Sequence, residues 1–369
     1  MQLNWHSITN VDEVASPALL IYPGRIEENI RRMIALAGQA ARLRPHVKTH
    51  KMPEIVRMQM ALGIRKFKCA TIAETEMAAS CGAPDVLLAY QPVGPAVRRL
   101  LQLAQAFRST RFSTIADDAE AIRRLSKELA EAGVTMEVLL DVDCGMHRCG
   151  IVPGPAAVEL YRLIASLPGL KPGGLHAYDG HIHDSDLAER TNKCEEAFAP
   201  VEALREELVK DGLSVPGIVA GGTPTFPIHA RRQDVECSPG TCILWDFGYG
   251  TKLPDLDFLP AALVLTRVIS KPGANRLCLD LGHKAIASEN PHPRVQFLDL
   301  PDAQAVSHSE EHLVVQTECA AEFAVGDCFY GVPWHICPTV ALHAQAVVVQ
   351  GGRVQARWKV VARDRVLTF

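Results

Sequence analysis

The sequence has no apolar stretch approaching the ~20 residues that cross a membrane. Its start lacks a basic cluster followed by an apolar run. Asp12, Glu13 and Glu27 stand there instead, so no signal peptide is read and a cytoplasmic location is expected. Basic charge is not in excess: 38 Lys and Arg against 42 Asp and Glu leave a net charge of −4. Binding along a phosphate backbone needs a cationic surplus, so neither nucleic acid nor a membrane is expected as a partner. The fingerprint G-x-G-x-x-G is missing, which argues against an open dinucleotide-binding sheet. Cysteine is not arranged for disulfides. The 11 residues are odd in number and scattered singly, as expected for reduced, mostly buried thiols. No internal repeat and no Ser/Gly-rich linker stands out.

What is present is an ordinary globular composition, 48% hydrophobic and 22% charged. A chain of 369 residues exceeds what one core usually holds, so two domains are expected. Short apolar runs at 18–22, 42–46, 66–70, 85–89, 111–115, 136–141, 174–178 and 217–220 alternate with helical patterns. The segment 118–132 has a clear helical rhythm in Ala119, Ile122, Leu125 and Leu129. Eight strand signals separated by helices predict an α/β fold, a (β/α)8 barrel over residues 17–250. Beyond it the pattern changes to strands at 261–269, 276–281, 294–298, 303–307, 313–316, 344–350 and 353–361. Gly351-Gly352 is a hairpin turn signal between the last two. Residues 251–369, with 1–16, are therefore read as a mainly antiparallel β domain.

Active-site groups of such a barrel lie at the C-terminal strand ends. Four of these ends carry reactive or glycine-rich sequence. They are Arg44-Pro45-His46-Val47-Lys48-Thr49-His50-Lys51, Asp141 to Gly150, His176 to His183, and Ala220-Gly221-Gly222-Thr223-Pro224-Thr225. Each alone is weak: a strand-end Lys is usually solvated, and Asp141-Val142-Asp143 also suits a cation. Together they offer a lysine for imine formation, an arginine, and a turn able to present N–H groups to a phosphate.

The lysine segment resembles that of the D-threonine aldolase/D-serine dehydratase family, fold-type III pyridoxal 5′-phosphate (PLP) enzymes related to alanine racemase. Gly145-Met146-His147-Arg148-Cys149-Gly150, the turns Gly221–Thr225 and Pro239-Gly240-Thr241, Asp280–Lys284, Ser309–His312 and Trp334–Thr339 resemble further family segments. The likeness runs from about Pro17 to the C-terminus. It implies that Lys48 carries PLP as a Schiff base and serves as base at Cα, with Lys51 as the competing lysine. It places Arg148 at the phenolic oxygen, Tyr178 at the pyridine nitrogen and His46 beside Lys48. The phosphate would rest on Gly221, Gly222 and Thr223, with Gly240 and Thr241 adding donors. Cys242 stands where the family often has an aromatic residue.

His335 and Cys337 match the family's metal-binding segment. On an extended strand, residues two apart face the same side and both reach one ion. Imidazole plus thiolate suits Zn²⁺, whereas Mn²⁺ or Mg²⁺ prefers the carboxylate found here in typical D-threonine aldolases. The cysteine is closer to the D-serine dehydratases. The implied activity is a metal-assisted lyase for D-β-hydroxy amino acids, with His181 or His183 as β-hydroxyl base. Retro-aldol cleavage to glycine and an aldehyde leads; dehydration to an α-keto acid and ammonia is the alternative. A racemase is more distant, because Tyr330 is the one tyrosine beyond residue 250 and lacks the racemase context. A non-enzymatic PLP carrier is a single barrel, which the β domain argues against. A homodimer is expected from the family.

Overall fold

The computed structural model describes residues 4–369. They divide into two compact units. One comprises 31–48, 53–240 and 364–369; the other comprises 4–30, 49–52 and 241–363.

The first unit is a parallel α/β barrel. Its strands are β2 (Lys66–Cys69), β3 (Asp85–Leu88), β4 (Arg111–Ala116), β5 (Met136–Val142), β6 (Leu170–Ala177), β7 (Ile218–Ala220) and β8 (Val235–Cys237). They pair in chain order. The eighth member is not a regular strand. Residues 43–46 bridge β8 through Leu43 and Cys237, and β2 through His46 and Lys68, so this segment closes the ring.

Two of the sequence expectations change here. The run at 18–22 does form a strand, β1 (Ala18–Ile21), but not in the barrel. It lies between β9 (Ala262–Gly273) and β15 (Gln345–Gln350) in the other unit. All four of its residues are buried apolar groups, which suits a central strand of either sheet. Its place in the barrel count is taken by β8, whose Val-Glu-Cys sequence gave no apolar run. Hence the two units do not meet at residues 17 and 250: residues 17–30, 49–52 and 241–250 group with the β unit.

Period-2 alternation and the pairing register put Lys66, Lys68, Asp85, Leu87, Ile115, Leu139, Asp141, His176, Val219 and Glu236 on one face of the sheet, the inner one. That interior is layered. Leu87, Ile115, Leu139 and Val219 form an apolar middle. At the strand starts lies a charge cluster. Arg44 reaches Asp85 Oδ1 through Nη1 at 2.6 Å and Glu236 Oε2 through Nε at 2.7 Å. Lys66 and Arg111 contact the same two carboxylates. Burial pushes the Asp85 and Glu236 carboxyls up, but Arg44, with Arg111 at Asp85 and Lys66 at Glu236, more than offsets it, and both stay below the usual range. Helix Ile72–Ser80 is buried nearly all round, whereas others bury one stripe. Helix Ala119–Glu131 is capped by Asp118, which accepts the Ala121 N–H at 2.8 Å, and it buries Ile122, Leu125 and Leu129 as its rhythm predicts.

The second unit is a mainly antiparallel sheet. Besides β1, β9 and β15 it contains β10 (Arg276–Leu279), β11 (Val295–Phe297), β12 (Gln304–His308), β13 (Leu313–Gln316), β14 (Cys328–Pro333) and β16 (Arg353–Lys359). The main path runs β12-β13-β10-β9-β1-β15-β16, with β14 joining β9 to β11. Gly351 and Gly352 both have positive φ, 61° and 71°, as the hairpin between β15 and β16 requires. β14 had no strand signal; its Gly331 lies so close to Val295 that a Cβ would sit 2.3 Å from Val295 Cγ2.

Removing Arg44 leaves Asp85 with Arg111, and Glu236 with Lys66, as the remaining cationic partners. Arg44→Met is expected to cost about 1–3 kcal/mol, read as a lowered urea midpoint. A midpoint equal to that of the unsubstituted protein would show that the cluster does not hold the barrel.

Candidate active site

The ring-closing segment delivers Lys48 to the C-terminal end of the strands. Lys48 sits in the 3-10 turn Val47–Thr49, and its N–H donates to His46 Nδ1 at 3.3 Å. His46 thus shapes the lysine's own turn. The Lys48 amine lies 5.8 Å from the ring centroid of Tyr178, and the Arg148 guanidinium 4.9 Å from it. The structure therefore gathers Lys48, Arg148 and Tyr178 about one ring. Lys51 is elsewhere: its Nζ donates to the carbonyl of Ala362 at 3.4 Å within the β unit.

A third cation, unforeseen from the sequence, faces the same ring. Lys68 Nζ lies 5.7 Å from the Tyr178 centroid, and the residue is only 2% exposed. Burial is the main force on its amine, aided by Lys48 and opposed by Asp179 and Asp141; the result is a pKa near 7. Its signal was a lysine inside an otherwise buried strand run. The Tyr178 ring itself is held between glycines. A Cβ at Gly180 would meet it at 2.4 Å, and one at Gly222 at 3.2 Å.

Asp141 and Asp143 do not make a cation site. Asp141 pairs with buried His176 at 2.7 Å. Asp143 accepts the N–H groups of Gly145 and His147 at 2.9 and 3.0 Å, building the loop that carries Arg148. Cys144 is inert as well: burial pushes its thiol up to about 12.

The expected phosphate turn is present but narrower. Gly221 has φ +75°, and its N–H already donates to Ala177 O at 3.0 Å, so it is not a free donor. The Gly222 N–H makes only a 3.3 Å bond to Thr225 Oγ1, and the Gly240 N–H only a 3.3 Å bond to Thr223 Oγ1. An anion competes readily with bonds of that length. Thr241 groups with the β unit, where its Oγ1 lies 3.6 Å from Cys337 Sγ.

Behind the turn, Asp179 accepts from Thr225 Oγ1 and His229 Nε2, both at 2.8 Å. Among the described residues, Asp179, Cys194 and His229 are the one trio whose ligand atoms lie close enough for a metal. Arg232 Nη1 stands 3.3 Å from His229 Nδ1, so Nδ1 accepts and Nε2 donates. Burial and Asp179 push the Cys194 thiol up to about 12. The trio is thus satisfied as hydrogen bonds. It fixes the turn, since a Cβ at Gly221 would meet His229 Cδ2 at 2.6 Å.

His335 and Cys337 are adjacent, though not on a strand. His335 is the extended N-cap of helix Ile336–Leu342, and Cys337 lies in its first turn. The Ile336 N–H between them donates to Asp246 Oδ2 at 3.0 Å. Asp246 also caps helix Phe247–Lys252, and burial pushes its carboxyl up to about 6. Burial lowers the His335 pKa, but a hydrogen bond and charge from Cys337, with Glu289, more than offset it and bring it to about 9. Cys337 Sγ lies 3.3 Å from Thr49 Oγ1 in the same unit; Thr49 follows Lys48 in the chain. Imidazole and thiol side by side suit a borderline ion such as zinc. His181 and His183 are exposed and line an open groove of about 540 Å³ with Asp184, Lys193 and Glu196. Neither Lys48 nor Tyr178 lines that groove.

Residues 21–245 match the family "Alanine racemase, N-terminal domain", and residues 261–349 match "Putative serine dehydratase domain". A D-threonine aldolase of Arthrobacter sp is 32% identical over 95% of this chain and 93% of its own. The crystal structure of D-threonine aldolase from Filomicrobium marinum superposes with a TM-score of 0.89 at 30% identity, covering 97% of this chain and 98% of that one. A metal-free cysteine-to-alanine variant of the D-threo-3-hydroxyaspartate dehydratase superposes at 0.82 with 25% identity, covering 94% and 97%. Barrel and β unit together define an alanine-racemase-like architecture. Within it, this chain belongs to the D-threonine aldolase/D-serine dehydratase family of lyases.

Lys68 titrates far below a free lysine, so its charged form destabilises the fold. That destabilisation is complete below about pH 7 and fades as pH rises toward the unfolded value of 10.5. Lys68→Met is therefore expected to raise the thermal midpoint near pH 7, with a gain that shrinks toward pH 10. An unchanged or lowered midpoint at pH 7 would mean that the ammonium is well paired.

Proposed function

We propose that the protein is a PLP- and metal-dependent lyase that cleaves D-β-hydroxy amino acids, such as D-threonine, into glycine and an aldehyde. The observation that carries this is Lys48, Arg148 and Tyr178 meeting at the barrel end of a chain that matches an aldolase along nearly its whole length.

The residues fit the cofactor. Lys48 would hold it covalently, Arg148 and Tyr178 would contact its ring, and the Gly222 and Gly240 N–H groups would hold its phosphate. His46 keeps the lysine's turn in shape. When bound, PLP supplies an electron sink for charge developing at Cα. The donor set of His335 and Cys337 fits a divalent ion, with zinc favoured over Mn²⁺ or Mg²⁺. Such an ion acidifies a β-hydroxyl. His181 or His183 is the base that takes the hydroxyl proton, the Cα–Cβ bond breaks, the aldehyde departs, and a proton returned to Cα completes glycine. A homodimer in the cytoplasm completes the proposal, by analogy with related fold-type III enzymes.

A second reading is favoured by one residue. Cys337 stands where typical aldolases of the family have a carboxylate, and the dehydratase relative has a metal-free form when a cysteine is replaced. Under this reading Lys48 takes the Cα proton and the β-hydroxyl leaves.

The purified protein with PLP and Zn²⁺ or Mn²⁺ is expected to convert D-threonine to glycine and acetaldehyde, assayed against keto acid and ammonia. Keto acid as the main product would favour dehydration; no product of either kind, with or without metal, would end the lyase proposal.

A further inference from the structure

Glu289 belongs to none of the sequence motifs and to no step above. It lies between β10 and β11, in the same unit as His335. Its Oε1 stands 2.5 Å from His335 Nδ1 and also accepts from Asn290 Nδ2 at 3.0 Å. An ionised carboxylate only accepts, so Nδ1 carries the proton. That leaves Nε2 as the nitrogen with a lone pair to give, two residues from the Cys337 thiol. The backbone between the two side chains is fixed separately, by Asp246 on the Ile336 N–H. Imidazole and sulfur are thus presented together, each by a different constraint.

A carboxylate on the far nitrogen is the usual companion of a metal-binding histidine. It fixes the tautomer and the ring orientation, and it raises the basicity of the binding nitrogen. We propose that Glu289 is a positioning residue of the metal site: it grips His335 by Nδ1 and turns Nε2 toward a divalent cation shared with the Cys337 thiolate. The proposal rests on the reading that His335 and Cys337 bind an ion. It adds a third residue, 46 positions away in sequence, that neither spacing nor motif singled out.

The test uses the full-length, PLP-loaded protein and Co²⁺ as probe, followed by visible absorption and chelator competition. The unsubstituted protein is expected to bind Co²⁺ with a sulfur-to-metal band, and His335→Ala or Cys337→Ala to lose it. Glu289→Ala is expected to bind about 10–100-fold more weakly, yet to reach the same spectrum at saturation. Glu289→Asp should recover most of the affinity. Glu289 is half-exposed, and an unchanged thermal midpoint in metal-free buffer confirms that the variant folds. Equal affinity in Glu289→Ala overturns the proposal, and so does an altered spectrum at saturation, which would make Glu289 a ligand itself. If His335→Ala and Cys337→Ala bind like the unsubstituted protein, the metal reading beneath it fails, an outcome that Glu289→Ala alone cannot mimic.

Discussion

The Arg44 guanidinium is the constraint on which the barrel end depends. A (β/α)8 ring needs an eighth member, and here that member is residues 43–46, too irregular to be held by a strand ladder. Backbone bonds hold it at a few points: the Arg44 N–H donates to Cys237 O, the His46 N–H to Pro239 O, and Pro45 O accepts from the Lys68 N–H. The Arg44 side chain adds to these by binding Asp85 of β3 and Glu236 of β8 from inside the ring. Two residues further on stands His46, and two beyond that Lys48. An ion cluster at the strand starts thereby anchors the segment that carries Lys48 to the other end of the barrel. The desolvation of buried Arg44 and Asp85 and of partly buried Glu236 is offset because each oxygen and nitrogen named has a partner at hydrogen-bonding distance.

The opposite end of the interior is organised differently. Three cations surround the Tyr178 ring, and one of them, Lys68, is buried deeply enough to lose most of its basicity. Folding alone does not call for three basic side chains around one aromatic ring. Satisfied hydrogen bonds frame it. Asp179 ties the end of β6 to the glycine turn through Thr225 and His229, and Asp143 builds the Arg148 loop from its own backbone. The same division holds in the β unit, where Asp246 and Glu289 orient the His335–Cys337 pair without belonging to it.

Much of this was legible in the sequence, for identifiable reasons. The helix at Ala119–Glu131 could be read because its apolar rhythm and its Asp118 cap agree. That Lys48, Arg148 and Tyr178 lie near one another could be read because strand ends converge at one end of a barrel and these residues fall there. Ala18–Ile21 misled because a fully buried apolar strand looks the same in either sheet; only pairing decides. Val235–Cys237 was silent because its middle residue is a glutamate kept inside by Arg44, a partner distant in sequence. Gly221 illustrates the same limit at the site. Its turn was recognisable, but only the fold reveals that its N–H is already bonded to Ala177. Glu289 acts through a partner that the chain brings together from far apart, so local patterns carried no trace of it, and Lys68 left only the mark of a lysine within a strand run.

Lys48 is the amine proposed to carry the cofactor. Borohydride reduction of the PLP-loaded protein, followed by peptide mapping with mass spectrometry, tests it most directly. A single pyridoxyl adduct on Lys48 is expected. An adduct on Lys51 or Lys68 with Lys48 unmodified, or no adduct at all, would contradict it.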